Sequence, residues 1–317
     1  MNRKVLITGG AGFIGSALLQ ELRKLDCEVF VLDDLSFGRR EHVEVADERF
    51  VELDILDHRA LADSARTISP SWVIHLAAVH FIPYCNANPY RSANINLQGT
   101  VNLLDSLREL NSLRKVFFAS TAAVYADSPT PVSETSPVIP LDIYGLTKSI
   151  GERLVSEFHR ATGISCVIGR LFNAYGPRET NAHLIPEILR QVLEGRDTIS
   201  LGNTRTRRDY IHTSDMARAV VKLLLLEREG FDTFNIGSGH SYDAREIVHF
   251  FERAANRPLI VNLATDRLRK VDRAVLQADI TKINQITGWT SEVEIQQGIR
   301  ALVQGDAVLA SSATTRR

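Results

Sequence analysis

The sequence predicts an α/β protein: a doubly wound parallel sheet with a smaller α/β lobe toward the C-terminus. Short Val/Ile/Leu/Phe runs recur at 5–7, 29–32, 50–53, 72–76, 116–120 and 166–170. Apolar runs without alternation suit strands covered on both faces. Helical periodicity fills the gaps at 14–25, 58–66, 94–110 and 144–161, so strand and helix alternate. A glycine-rich stretch, TGGAGFIGS at 8–16, joins the first strand to the first helix.

That stretch has the spacing of a dinucleotide-binding turn. Gly9 permits the tight turn, Gly12 lets a pyrophosphate approach the backbone, and Gly15 lets helix pack on strand. The following helix aims its free N–H groups at the phosphates. Asp33 ends the second apolar run, about twenty residues on, where a carboxylate bonds ribose hydroxyls and repels a 2′-phosphate. The cofactor expected is therefore NAD rather than NADP. Arg39 and Arg40 stand late for a 2′-phosphate and read as solvated loop charges.

Composition narrows the rest. The chain has 317 residues, 44% hydrophobic, and a formal net charge of −1. That gives a large core and no basic surface for nucleic acid or an anionic membrane. The three cysteines, Cys27, Cys85 and Cys166, have no paired spacing, which points to a reducing, cytoplasmic setting. Cys27 and Cys166 flank apolar runs and read as buried small residues. No apolar stretch reaches the ~20 residues needed to cross a bilayer, and the short N-terminal run is no signal peptide. His75 reads as packing at a strand end and His80 as a polar neighbour of cofactor or substrate. Neither has ligand spacing, so no metal is expected.

Beyond residue 171 the chain is richer in Pro, Gly and Arg. Helical patterns at 183–194, 214–228 and 243–255 alternate with short strands near 198–201, 233–236 and 259–261. The division expected is 1–170 for the cofactor half, with later segments returning to its sheet, 171–305 mainly for the substrate lobe, and a frayed tail at 306–317.

Tyr144-Gly145-Leu146-Thr147-Lys148 carries the chemistry. Residues four apart share a helix face, so an ammonium lies beside a phenol and favours the phenolate. The positive nicotinamide ring adds to this. A tyrosine poised near neutral pH exchanges a proton with a sugar hydroxyl. The strand at 116–120 delivers a further hydroxyl to the crevice, from Thr121 or, as second choice, Ser120.

These segments resemble the extended short-chain dehydrogenase/reductases, in particular nucleotide-sugar epimerases and dehydratases. The resemblance runs over roughly residues 3–300. It rests on TGGAGFIGS, LDDLSFGRRE (32–41), Asp54-Ile55, HLAA (75–78), STAAVY (120–125), YGLTK (144–148), RLFNAYGPR (170–178), RRDYIHTSD (207–215), FNIGSG (234–239) and GW (288–289). It implies a Rossmann-type sheet with NAD held by Gly9, Gly12, Phe13 and Ile14, and by Asp33, Asp34, Ser36 and Gly38. Asp54 and Ile55 would contact adenine. Leu76, Ala77 and Ala78 would line the pyrophosphate, with Asn96 nearby. Ser120, Tyr144 and Lys148 complete the cofactor set. On the substrate side, Thr121 and Tyr144 meet the sugar, and Asn173 and Arg208 hold the diphosphate. Leu184, beside His183, meets base or sugar. Val271-Asp272-Arg273 departs from the family pattern, its glycine lost and its arginine shifted, and leaves Asp272 to bond a ribose hydroxyl.

The same resemblance bears on the reaction. Related dehydratases carry an Asp-Glu pair after the catalytic hydroxyl, and related decarboxylases a Glu; here the positions are Ala122 and Ala123. Neither alanine is an acid or base, as elimination requires. The expectation is carbon-4 epimerisation of a nucleotide-linked hexose through a 4-keto sugar. The substrate is of the UDP-glucose/UDP-galactose type, or UDP-glucuronate with Arg178, Arg205 or Arg207 on its carboxylate. A reductase, decarboxylase or dehydratase of this family, or an NAD-binding regulator, is the alternative. A homodimer is expected through Leu97, Val101, Leu104, Ile150, Leu154 and Phe158, unless these face the sheet.

Overall fold

The computed structural model describes residues 3–179, 181–264 and 273–305. The first half runs β1 (Arg3–Thr8), α1 (Phe13–Leu22), β2 (Cys27–Asp33), β3 (Phe50–Glu52), α2 (His58–Ile68), β4 (Trp72–His75), α3 (Ile82–Ala87) and α4 (Pro89–Ala93). A π-helical turn, Asn94–Gln98, leads into α5 (Gly99–Leu107), then β5 (Lys115–Thr121), α6 (Ile143–Thr162) and β6 (Ser165–Leu171). Next come β7 (Asn173–Tyr175), α7 (Leu184–Leu193), β8 (Thr198–Leu201), β9 (Arg207–His212), α8 (Thr213–Leu225) and β10 (Phe231–Ile236). The last elements are β11 (Ser241–Tyr242), α9 (Ala244–Ala255), β12 (Ile260–Leu263), β13 (Val275–Leu276), α10 (Thr281–Thr287) and α11 (Ile295–Gln304).

Seven strands form the main sheet in the order β10-β6-β5-β4-β1-β2-β3, and every neighbouring pair is parallel. The chain leaves β1 first toward β2 and later toward β4, so the sheet reverses direction there and opens a crevice above the strand ends. Successive strand residues alternate faces. Val5 and Ile7 pack with Leu18 and Leu22 of α1 and Val220 and Leu224 of α8. Leu6 packs on the other face with Leu61 of α2, Leu103 and Leu107 of α5 and Val155 of α6.

Helix ends follow their capping residues. The Asp57 side chain accepts from Ala60 N at the start of α2. At α6 the Asp142 carboxylate accepts from Gly145 N at 2.7 Å, and Gly163, at φ 73°, ends the helix. Such caps satisfy N–H groups that the first turn leaves orphaned. Capping at Asp142 also sets the rotation of α6, and hence where Tyr144 and Lys148 point.

Three features of the fold bear on the sequence reading. The single helix expected at 94–110 is instead a π turn followed by α5. β9, hidden in a charged stretch, is the centre of a four-stranded sheet with β7, β11 and β13. Its Asp209 carboxylate is fully buried and accepts from Ser238 N, Gly239 N and Ala278 N. Third, Leu104 and Phe158 are buried in the sheet core rather than free for a bundle, while Val101 and Ile150 remain 40% and 37% exposed. Leu97 and Leu154 are half-buried.

The smaller lobe builds its own core from α7, α9, α11, β8 and β9, around Ile188, Phe251 and Ile299. Cys85 and Cys166 are buried, Cys27 half-buried, and all three thiols are free. Among the described residues no helix is long and apolar enough to cross a membrane. The expected tail at 306–317 and Asp272 lie outside the described residues.

Candidate active site

A cleft of about 810 Å³ opens above the C-terminal ends of β1, β2, β4 and β5 and is closed by the smaller lobe. That size suits a cofactor and a small substrate together.

One half of the cleft is a glycine cradle. Gly9 has φ +74°, and a Cβ there would lie 2.6 Å from Ala77 N. A side chain at Gly9 would thus be both strained and in collision with the β4 exit. Gly12 is the N-cap residue of α1, and only Gly9 O, at 3.3 Å, lies near its missing Cβ. A Cβ on Gly15 would lie 2.5 Å from Gly10 O, so helix and turn touch there. Phe13 and Ile14 line the cleft beside them.

Asp33 is 7% exposed. Its Oδ2 accepts from Ala11 N and its Oδ1 from Leu35 N, both at 2.9 Å. Burial raises its carboxyl above the usual value, and these N–H donors oppose the shift. Each oxygen keeps a further lone pair for a ribose hydroxyl. The cradle, the carboxylate and the cleft therefore fit NAD. Gly38 packs its Cα side against Ala11 and Asp33. Asp34, Ser36, Asp54 and Ile55 line the same end, and Leu76, Ala77 and Ala78 form the wall between. Arg39 pairs with Glu41, and Arg40 lies over the Phe50 ring and bonds Asp47. Neither arginine lines the cleft, and Arg40 is packed rather than merely solvated.

The resemblance puts Asn96 near the cofactor pyrophosphate. It is buried and does not line the cleft. Its side chain accepts from Val79 N at 2.8 Å and donates to Val79 O and Thr147 Oγ1, each at 3.0 Å. The π turn carries it behind the wall, where it ties that wall to α6. His75 is also structural: its Nδ1 lies 2.6 Å from Thr8 Oγ1 and its Nε2 3.0 Å from Thr100 Oγ1. Burial, and the nearby Lys148 charge, lower its value to about 3.

Tyr144 and Lys148 both line the cleft, one helical turn apart. The Thr121 hydroxyl accepts from Ala123 N at 3.1 Å and lines the same cleft as the Tyr144 phenol, whose pKa it acts to lower. The Ser120 hydroxyl instead donates to Glu152 Oε1 at 2.5 Å. Of the two hydroxyls expected at this strand end, Thr121 is the one turned to the phenol. Glu152 Oε2 also takes Arg170 Nη2 at 2.7 Å, a pair whose side chains are 11% and 8% exposed.

Ionisation differs from the sequence reading. Burial raises the Tyr144 phenol above its ordinary value, and the Thr121 bond only partly opposes this. Burial lowers Lys148 to about 7, with Glu152 acting to raise it. Burial is the largest influence on the phenol, so these residues alone leave it protonated at neutral pH.

Across the cleft stand Asn173 on β7, Leu184 at the start of α7, and Arg208 on β9. The Arg208 guanidinium donates to Arg207 O and Arg273 O at 2.7 and 2.9 Å. The buried Asp209 next to it locks β9 and thus fixes where Arg208 reaches. Arg207 pairs with Glu246 at 2.8 Å, and Arg178 lies near Glu44. Neither they nor Arg205 line the cleft.

Residues 5–237 match the family model for the NAD dependent epimerase/dehydratase family. The chain belongs to that family. It is 32% identical over 315 residues to the UDP-glucose 4-epimerase of Azospirillum brasilense, covering 93% of this chain and 89% of that one. The UDP-glucose 4-epimerase of Thermus thermophilus, solved with NAD, superposes with a TM-score of 0.86 at 31% identity, covering 95% and 98%. The UDP-N-acetylglucosamine 4-epimerase of Methanobrevibacter ruminantium, solved with UDP-N-acetylmuramic acid, gives 0.86 at 26% identity over 96% and 97%.

Within this epimerase/dehydratase frame, two features escaped the sequence. Arg273 lines the cleft although its motif looked displaced. It donates to Ala123 O at 2.8 Å and Tyr125 O at 2.9 Å, clamping the segment after Thr121. His80, Glu179 and His183 also meet on the cleft wall. The spacing of Glu179 and His183, four apart in number, was the signal available. Burial, and Lys148, lower His80 to about 4.

Proposed function

We propose that the protein is an NAD-dependent 4-epimerase of nucleotide-linked hexoses, of the UDP-glucose/UDP-galactose type. One observation carries the reading. Tyr144, Lys148 and Thr121 converge on a cleft whose neighbouring positions are Ala122 and Ala123. Tyr144 and Thr121 can handle one sugar hydroxyl, and the two positions after Thr121 carry no acid or base for elimination. The relatives named above support the substrate class.

NAD held by the glycine turn and Asp33 would supply a positive charge and a reversible two-electron acceptor for the sugar carbon. Tyr144 takes the proton of the 4-hydroxyl, and Thr121 bonds the same oxygen. Lys148 holds positive charge beneath the phenolate. Arg208 and Asn173 grip the diphosphate, a task for which a guanidinium fork is matched. The 4-keto sugar then turns about that grip, and reduction from its other face inverts carbon 4. Residues 1–170, joined by the later segments that return to the sheet, act as the cofactor half, and 171–305 mainly as the substrate half.

The finer assignments rest on the same reading. Exposed Val101, Leu146 and Ile150 on α5 and α6 support a homodimer through these helices. The free thiols support a cytoplasmic setting, and the substrate class places the protein in carbohydrate metabolism.

The test is to incubate the protein with UDP-glucose, without added oxidant, and look for UDP-galactose. A new diastereomer with no net NADH is expected. Net NADH production, or no new sugar from any UDP-hexose offered, contradicts the proposal.

A further inference from the structure

His80, Glu179 and His183 come from two separate stretches of chain. Each offers one donor atom, and the three atoms lie within 4.8 Å of one another. The His80 and His183 rings stack with centroids 5.8 Å apart, and the Phe81 ring meets His183 edge-on at 5.3 Å. His183 is the N-cap residue of α7, which fixes its backbone. Glu179 lies on the connecting loop.

Asn181 shows what this cluster attracts. Its amide nitrogen lies 3.3 Å from His80 Nε2 and 3.2 Å from Glu179 Oε1. An amide NH₂ only donates. Acceptor atoms from two segments therefore aim at one electropositive group. A cation at that spot takes the place of the amide hydrogens.

We propose that His80, Glu179 and His183 form a divalent transition-metal site, with an open position toward the cleft. Two imidazoles and one carboxylate suit zinc among common divalent ions. With bonds of about 2.0–2.2 Å, tetrahedral donors stand roughly 3.4 Å apart. The three donor atoms, all within 4.8 Å of one another, close to that spacing by side-chain rotation as the Asn181 amide swings out. The open position takes water or an oxygen of the molecule in the cleft, which the ion would hold as a Lewis acid.

Untagged full-length protein, stripped with chelator, is titrated with Co²⁺ and followed by its visible d–d absorption. Zn²⁺ is then added in competition. One equivalent per chain is expected, displaced by one equivalent of Zn²⁺. His80→Ala, His183→Ala and Glu179→Gln each weaken binding at least tenfold, whereas Asn181→Ala leaves it unchanged or tighter. Thermal melts of the stripped variants verify folding, and Glu179→Gln with Asn181→Ala carries the test if a histidine variant fails to fold. No stoichiometric equivalent, binding indifferent to all three substitutions, or equal loss in Asn181→Ala overturns the site.

Discussion

The Ser120 hydroxyl donates to the Glu152 carboxylate at 2.5 Å, which ties the end of β5 to α6 one turn beyond Lys148. The same carboxylate holds Arg170 and acts to raise Lys148. Glu152→Gln leaves the buried Arg170 charge without its partner, at a cost of roughly 3 kcal/mol. It also removes the support that keeps Lys148 charged. Lys148 loses its proton as pH rises through about 7. In Glu152→Gln that loss comes at lower pH. The checks are a reduced melting temperature and an alkaline fall in kcat/KM that moves toward acid.

Gly9→Ala tests the cradle. The new Cβ meets Ala77 N at 2.6 Å in a left-handed backbone, a strain of about 1–3 kcal/mol. Melting temperature and NAD affinity fall together. Gly163→Ala is the control: it shares a positive φ, of +73°, but among the described residues nothing beyond its own chain neighbours lies within 4 Å of the added Cβ. It loses stability and keeps NAD affinity.

Asp33→Asn keeps acceptor oxygen and removes charge. NAD binding weakens, and discrimination against NADP narrows by about tenfold, as the repulsion of a 2′-phosphate is lost. Equilibrium binding of both cofactors reads this directly.

His75 makes the fold acid-sensitive. Its value is lowered from 6.5 to about 3, so the neutral ring gives its full contribution above pH 6.5. Below that, the unfolded chain binds a proton that the folded chain refuses. Stability then falls by roughly 1.4 kcal/mol per pH unit toward pH 3. His80 and His212, both lowered to about 4, act in the same direction. Thermal melts should drop steeply between about pH 6.5 and 4.5, and His75→Gln should flatten that slope.

How much of this was legible in the chain follows from range. The turn at Gly9–Gly15 and the pair Tyr144–Lys148 are set by spacing within one element, so they read directly. Asn96 stands on a π turn that periodicity does not announce, and its bonds to Val79 and Thr147 are not visible in the chain. Arg273 and the His80–Glu179–His183 group depend on segments far apart in number, and no local pattern announces that they meet. β9 hides because its outer residues are charged arginines and its buried Asp209 is held by four donors from distant loops and its own lobe. The raised Tyr144 phenol is of the same kind: the neighbouring lysine is visible in the sequence, whereas the burial that raises the phenol is not.

The central claim is that Tyr144 removes the proton from a sugar alcohol over bound NAD. It is tested most directly by Tyr144→Phe, assayed for conversion of UDP-glucose to UDP-galactose alongside cofactor retention. The predicted result is a loss of about 10²–10⁴ in turnover with NAD still bound. Turnover within a few-fold of the unaltered protein would contradict it.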